Sequence, residues 1–430
     1  TSMLGAMDKK KFGFNFFLEN GFVSSEKEHE SVSKTVEYAY NAYCVAKIAQ
    51  LQNKPDIYSS MISKAQYYKN LFNPNNTFIQ PKENGRFILD FNPTQIDQNY
   101  TEGNGWHYTF YAPSDINTLI DIMGGDNEFC RKLDSCFFTN EKTTGRNQAD
   151  VTGLIGQYCH GNEPSQHTAY LYAYSGQAYK TQELVRQILT TLYSTKPEGI
   201  CGNDDAGQMS AWYVMSAMGF YPVCPVDNQY VLASPLFEKI TIHLENGKEF
   251  VIEAPNAEKT PYVKAIKLNG KDHNKSFLKY EDIKDGGKIQ FTMSQTAVKD
   301  FAKAKEDRPF SKIEKDLICV VPYVSYEGTG TFTKNIEVNF SAFNPQDTIY
   351  VSLSNGKNYR FVGKGKIKVK ESVIISAYSQ NKTKSEKIET KLYKIPAGRS
   401  VKVFTNANSQ YTASGDFALI DLKRGNDNWK

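Results

Sequence analysis

The sequence predicts an α-plus-β protein, with a helical first half followed by antiparallel β domains. Up to about residue 225, apolar residues recur at three- and four-residue spacing. Beyond Pro225 they alternate with polar residues between Asn-Gly turns. At 430 residues the chain has room for two to four domains, each with its own core.

The first helix is expected over Val32, Val36, Tyr40, Tyr43 and Ala46, with Ser31 as its N-cap. Ile57, Met61, Ala65, Tyr68 and Leu71 mark a second amphipathic stretch. Ser114 to Met123 should close on Gly124-Gly125, and Thr181 to Tyr193 carries apolar positions at 184, 188 and 192. Met209 to Met218 should stop at Gly219 ahead of Pro222. The loops between these helices are long, aromatic and glycine-containing, as functional loops often are.

In the second half Ile240, Ile242 and Leu244 alternate with polar residues before the Asn246-Gly247 turn and Phe250 to Ile252. Val263, Ile266 and Leu268 lead into Asn269-Gly270, and Ile289 to Met293 is a further strand. Strands are expected again over 318–324, 336–340, 349–353, 367–369 and 373–377, at a spacing that fits a small β-sandwich. The expected division is a helical region over 1–225, an antiparallel β domain over 226–296 packed on it and a charged linker over 297–316. A sandwich over 317–395 and the start of another module over 396–430 complete it.

Composition excludes several function classes. The net charge of +4 arises from 51 basic and 47 acidic residues mixed along the chain, so no basic stripe argues for nucleic acid or a membrane surface. The longest apolar runs are too short to span a bilayer. Thr1 to Lys11 lacks the apolar core of a signal peptide. The seven cysteines form no zinc-type pair and read as small buried hydrophobes. The 27 Tyr and 26 Phe suit packing first and contact with sugar rings second.

Three acidic loops in the helical half carry the candidate chemistry. In Tyr100 to Tyr108 (YTEGNGWHY), Glu102 lies among Trp106, Tyr108 and Phe110. A carboxyl in an aromatic pocket has its charged form destabilised and can act as a general acid, although a loop Glu paired with a Lys explains the segment equally well. In Gly161 to His167 (GNEPSQH), Asn162, Glu163 and Gln166 offer hard oxygen donors of the kind Ca2+ prefers. His167 reads as a hydrogen-bonding residue rather than a zinc ligand. In Gly202 to Tyr213 (GNDDAGQMSAWY), Asp204 and Asp205 sit between two glycines ahead of a helix. Alone, the pair is explained by helix capping. With a protonated acid and a cation-friendly loop beside it, the set suggests glycoside hydrolysis. No phosphate loop or nucleophile elbow competes.

The strings YTEGNGWHY, GNEPSQHTAYLYAYSGQ, GNDDAGQMSAWYVMSAMGFYPV and ASPLF, in that order, resemble the calcium-dependent α-mannosidases of glycoside hydrolase family 92. So do SVSKTVEYAYNAYCVAKIA and AQYYKNLFNPNNTFIQPK upstream. The resemblance covers about residues 20 to 296. It implies helices of an (α/α)6-barrel type followed by β-sandwich domains, and an inverting exo-α-mannosidase acting on α-1,2-linked mannose of N-glycans or mannans. Glu102 is then the general acid and Asp205 the general base, with Asp204 a second candidate. Asn162, Glu163 and Gln166 become the Ca2+ loop, and Trp106, His107, His167 and Asn203 line the sugar pocket. Gln166 and the Trp106-His107 pair depart from common family patterns, which bears on selectivity. Glu102 argues against the branch that cleaves mannose-1-phosphodiesters, and a non-catalytic glycan-binding fragment is the rival class.

The same resemblance places the protein outside the cytoplasm of a bacterium: secreted, periplasmic or cell-surface. Its partners would be mannose-containing glycans and an N-terminal fragment completing the site, because family members begin with a β-sandwich and further barrel helices. The region around Gly330, Ile349 and Val373 resembles the C-terminal sandwich of β-hexosaminidases. Phe417 to Asp421, with Trp429, resembles the start of a discoidin-type domain. For the acid–base pair of an inverting enzyme, the Glu102 carboxyl should lie roughly 6.5–9.5 Å from that of Asp205 or Asp204.

Overall fold

The structure is a computed structural model, and it describes residues 5, 11–313, 315–402, 404 and 420. The chain divides into two compact units. One gathers residues 1–91, 98–101 and 315–430, and the other gathers 92–97 and 102–314. This division cuts across the linear one expected from the sequence. The 226–296 strands share a unit with Glu102 and the other two acidic loops, and the 317–394 strands share a unit with the first helices.

In the first unit the helices are α1 (Phe14–Asn20), α2 (Ser31–Leu51) and α3 (Pro55–Lys64). Helix α2 buries Val32, Val36, Tyr43 and Ala46 as its periodicity requires. Its N-cap is Glu30, held at φ 55°, and not Ser31. Ser31 Oγ donates instead to Asn99 Oδ1 at 3.3 Å. The stretch expected as one helix through Leu71 breaks at Ala65 and resumes as a 3-10 turn over Tyr67–Leu71.

Two two-stranded ribbons lie within 72–87, and the strands from Tyr323 onward form two larger sheets with alternating burial. One orders Tyr323–Tyr326, Ile336–Ser341 and Lys364–Val369. The other orders Thr331–Phe332, Ile388–Lys394, Val373–Gln380, Thr348–Leu353 and Asn358–Val362. Their inward faces bury Val338, Phe340, Ile349, Val351, Ile375 and Leu392, and Phe340 stacks on Phe361 across the two sheets. The discoidin-like string lies outside the described residues, apart from Ile420.

In the second unit α4 (Gly105–Thr109), α5 (Ile116–Ile122), α6 (Asp126–Phe138), α7 (Ala178–Thr191) and α8 (Gln208–Ala217) surround an aromatic core. Phe110, Phe129, Tyr170, Tyr172 and Trp212 are all fully buried there. Helix α6 was not expected, because its buried stripe of Phe129, Cys130, Leu133, Cys136 and Phe137 uses cysteine at two apolar positions.

A five-stranded sheet orders Lys239–His243, Glu249–Glu253, Gly287–Ser294, Tyr262–Leu268 and Lys271–Asp272. Asn269 and Gly270 turn at φ 49° and 80°, the left-handed pair a tight hairpin needs. The sheet is not wholly antiparallel, since Glu249–Glu253 runs parallel to Gly287–Ser294.

The expected linker is also built into this unit. Phe301, Ala302 and Ile313 are buried, Arg308 Nη1 donates to Asp126 Oδ2 at 2.7 Å and Ile313 N donates to Asp115 Oδ1 at 2.9 Å. Its charges pair with the unit's surface, so a low density of large apolar residues did not make it a free connector. All seven cysteines are free thiols, with Cys44 and Cys201 half-buried and the rest buried. Among the described residues no helix is long and apolar enough to cross a membrane.

Candidate active site

Glu102 and the rest of its loop through Tyr108, together with the whole of the other two acidic loops, fall within the second unit, whereas Tyr100 and Thr101 belong to the first. The Glu102 loop is fixed by the residue that follows it. Asn104, with no exposed surface, caps α4: its Oδ1 accepts the N–H groups of Trp106 at 3.0 Å and His107 at 3.3 Å. Its own N–H donates to His107 Nδ1 at 3.2 Å, a reciprocal cap that satisfies donors at both ends. Asn104 Nδ2 donates to Gln157 Oε1 at 3.0 Å, tying the loop to the neighbouring hairpin. Glu102, half-buried, sits at φ 47°. A glutamate in the left-handed region is uncommon and has to be held there by its surroundings.

The second loop opens a 3-10 turn over Glu163–Ser165, with Pro164 in its first turn. Asn162, buried, uses both ends of its amide. Oδ1 accepts the Glu163 N–H at 3.2 Å, and Nδ2 donates to the Glu102 carbonyl at 2.9 Å. Gln166, also buried, donates to the His160 carbonyl at 3.0 Å and accepts from Gln208 Nε2 at 2.6 Å. The Gln166 carbonyl accepts the Trp212 indole N–H at 3.2 Å. This loop is therefore bound to the Glu102 loop on one side and to α8 on the other.

The third loop separates its two aspartates. Asp204 turns back onto α8, with Oδ1 accepting the Ser210 N–H at 2.9 Å and Oδ2 accepting the Ser210 hydroxyl at 3.0 Å. It satisfies a donor of the first helical turn that Gly207, in the N-cap position at φ 90°, has no side chain to reach. Asp205, exposed, begins a run of three left-handed residues, with φ of 45° at Asp205, 60° at Ala206 and 90° at Gly207. Its carboxyl hydrogen-bonds with that of Glu163. Upstream, Gly202 lies against Gly161, and a Cβ there would stand 2.5 Å from the Gly161 carbonyl oxygen. At this point the second and third loops meet backbone to backbone.

The electrostatics bring three carboxyl groups into one neighbourhood. Burial pushes the Glu163 carboxyl above the usual carboxylate range, opposed by its own backbone N–H. A hydrogen bond with Asp205, the Asp205 charge and then the Glu102 charge push the same way as burial. Among the described residues no three His, Cys, Asp or Glu side chains are grouped tightly enough to hold a metal by themselves. Calcium sites, however, also draw on carbonyl, amide and water oxygens.

The remaining sequence candidates are placed as follows. Trp106 is buried beneath Lys132, whose ammonium lies 4.8 Å from the ring centroid and is drawn down to about 7 by burial. His107 is buried, and burial lowers it to about 4 against a weak opposing contact with the Gln157 backbone. His167 Nε2 donates to the Phe110 carbonyl at 3.0 Å, and burial lowers its pKa. Both imidazoles therefore brace backbone in their neutral form. Asn203 is exposed and donates to Asp150 Oδ1 at 3.0 Å. Asn104, Gln157, Gln208 and Ser210 carry the scaffold of the site without having been singled out as site residues. An Asn ahead of a helical run was a readable N-cap signal for Asn104. Ser210 and Gln157 carry no such local signal.

Residues 2–295 match the family model described as the glycosyl hydrolase family 92 catalytic domain. A solved family 92 α-mannosidase of Bacteroides thetaiotaomicron, BT3965, bound to mannoimidazole, is 36% identical with a TM-score of 0.69. The match covers 73% of this chain and 43% of that one. The family 92 inverting mannosidase BT2199 of the same species is 35% identical with a TM-score of 0.65, covering 72% of this chain and 44% of that one. An uncharacterised secreted glycosidase of Arthroderma benhamiae is 26% identical over 320 residues, 68% of this chain and 39% of that protein. The chain spans less than half the length of each of these relatives. With a family model matching more than half of its residues, and with the three acidic loops inside the match, the chain belongs to glycosyl hydrolase family 92.

Proposed function

We propose that this chain carries the acid–base machinery of an inverting, exo-acting α-mannosidase that removes α-1,2-linked mannose from N-glycans or mannans. The observation that carries the reading is the convergence of Glu102, Glu163 and Asp205, each on a separately braced loop, with Asp205 and Glu102 both acting on Glu163. Inversion needs one carboxyl to protonate the departing glycosidic oxygen and a second to take a proton from the attacking water. Glu102 is assigned the first role and Asp205 the second. Asp204, with both oxygens engaged by Ser210, is assigned to capping α8. The neutral, buried His107 and His167 brace the walls of the sugar pocket, and Trp106, buried beneath Lys132, packs behind it.

The residues fit a resident Ca2+. The donor set is oxygen-only, and a cation would favour the ionised Glu163 carboxylate that burial first, and then Asp205 and Glu102, disfavour. Glu163 is the ligand we assign first. Asn162 and Gln166, whose amides already bind neighbouring groups, contribute by bracing its loop. When bound, the ion would supply a charged template for the sugar's hydroxyls. Secretion is proposed from the relative named a secreted glycosidase.

The test is release of mannose from α-1,2-mannobiose with and without a chelator. Calcium-dependent release supports the reading. Release that is indifferent to chelation removes the ion, and no release in saturating Ca2+ with the N-terminal part of the site supplied removes the mannosidase assignment.

A further inference from the structure

We propose that Asn162 is the positioning residue for the general acid, acting by clamping the Glu102 backbone in the conformation that aims its carboxyl at the reacting bond. The inference rests on the assignment of Glu102 under the proposed function. Four observations lead to it. Glu102 has a positive φ of 47° and is not a glycine, so its backbone is held in a well that an unrestrained glutamate leaves. Its carbonyl receives the Asn162 Nδ2 proton at 2.9 Å, a bond bridging sixty residues of sequence. The other end of the same amide accepts the Glu163 N–H at 3.2 Å and fixes the clamp to the loop whose carboxyl interacts with Asp205. Finally, Asn162 is only 6% exposed, so water competes little with either bond. One amide thus links the acid's backbone to the base's neighbour.

A mispositioned acid has a kinetic signature that a loose fold does not. A poor leaving group, such as the mannose of α-1,2-mannobiose, needs proton donation, whereas 2,4-dinitrophenolate departs without it. Asn162→Ala and Asn162→Ser are the informative variants. The serine hydroxyl can still cap the Glu163 turn but is too short to reach the Glu102 carbonyl. Both variants should lose about 30-fold or more in kcat on α-1,2-mannobiose, within the range general acid catalysis contributes. On 2,4-dinitrophenyl α-mannoside they should stay within about three-fold of the parent, and Asn162→Ser, which keeps the Glu163 cap, should bind Ca2+ within about three-fold of the parent by calorimetry, whereas Asn162→Ala also loses that cap.

Equal losses on both substrates overturn the clamp. Loss of Ca2+ affinity in step with activity in Asn162→Ser, whose hydroxyl still caps the Glu163 turn, makes Asn162 a ligand and overturns it as well. Glu102→Gln run alongside separates the two ideas: if that variant shows no leaving-group split, the acid assignment fails and not the clamp. A structure of Asn162→Ala gives a reading independent of turnover. Glu102 is expected to leave its left-handed φ, and a Glu102 unmoved in that structure contradicts the proposal.

Discussion

Replacing Gly202 with alanine should disable the site without touching any candidate catalytic side chain. Gly202 does not have a positive φ, so the substitution brings no backbone strain of its own. The added Cβ would stand 2.5 Å from the Gly161 carbonyl oxygen, 2.8 Å from its Cα and 3.0 Å from its carbonyl carbon. These are backbone atoms and cannot swing aside as a side chain would. Restoring an ordinary carbon–oxygen contact requires about 0.7 Å of separation between the two loops. Gly161 immediately precedes Asn162 and Glu163, and Gly202 lies three residues before Asp205, so that separation falls between the assigned base and its neighbours. A misplacement near 1 Å costs on the order of 10²-fold in rate. Gly202→Ala should therefore lower kcat/KM on α-1,2-mannobiose by some tens-fold, with about 1–3 kcal/mol of overpacking seen in denaturant unfolding. A folded variant within three-fold of the parent would refute the claim that backbone contact sets the spacing of these loops.

The two aspartates should separate on mutation. Asp204→Ala should cost about 1 kcal/mol of stability as a lost helix cap while keeping kcat/KM within about five-fold. Asp205→Asn should lower kcat at least 10²-fold with little effect on melting. Acid should destabilise the second unit. His107 and His160 are buried with pKa values lowered to about 4 and about 3, from a value near 6.5 in the unfolded chain. The unfolded state then binds more protons, so their contribution is complete above pH 6.5 and declines as pH falls toward 4, at about 1.4 kcal/mol per unit for each histidine. Melting temperature should drop between pH 7 and pH 5, and a flat profile would contradict the neutral assignment. Calcium at a hundred times its Kd should add about 2.7 kcal/mol of stability, read as a thermal shift that Glu163→Gln reduces and Asp204→Ala leaves intact.

The helical and strand periods were legible because their apolar residues face buried cores: Val32 to Ala46 on α2, and the alternating strands around Ile349 and Val373. The helix stripe built on Cys130 and Cys136 was less visible, because cysteine is easily read as chemistry instead of packing. The charged stretch after Ala297 looked like a linker because Arg308 and Lys312 find their acidic partners nearly two hundred residues away. At the site, residue types and glycines marked the three loops, and the family resemblance supplied roles. The division of labour between Asp204 and Asp205 depends on left-handed backbone at Asp205 and Ala206, which neither residue type announces. The bond from Asn162 to Glu102, and the contact of Gly202 with Gly161, join segments far apart in sequence. Single-sequence patterns carry no signal for such pairings.

The central claim is that Glu102 and Asp205 face the same bond as acid and base with a water between them. Proton NMR of the first sugar released from α-1,2-mannobiose, recorded before mutarotation, tests it most directly. The account predicts β-mannose as the first product, and a Glu102→Gln variant that forms it far more slowly. Initial release of α-mannose would mean retention through a covalent intermediate, and would contradict the assignment of Asp205 as a base acting on water.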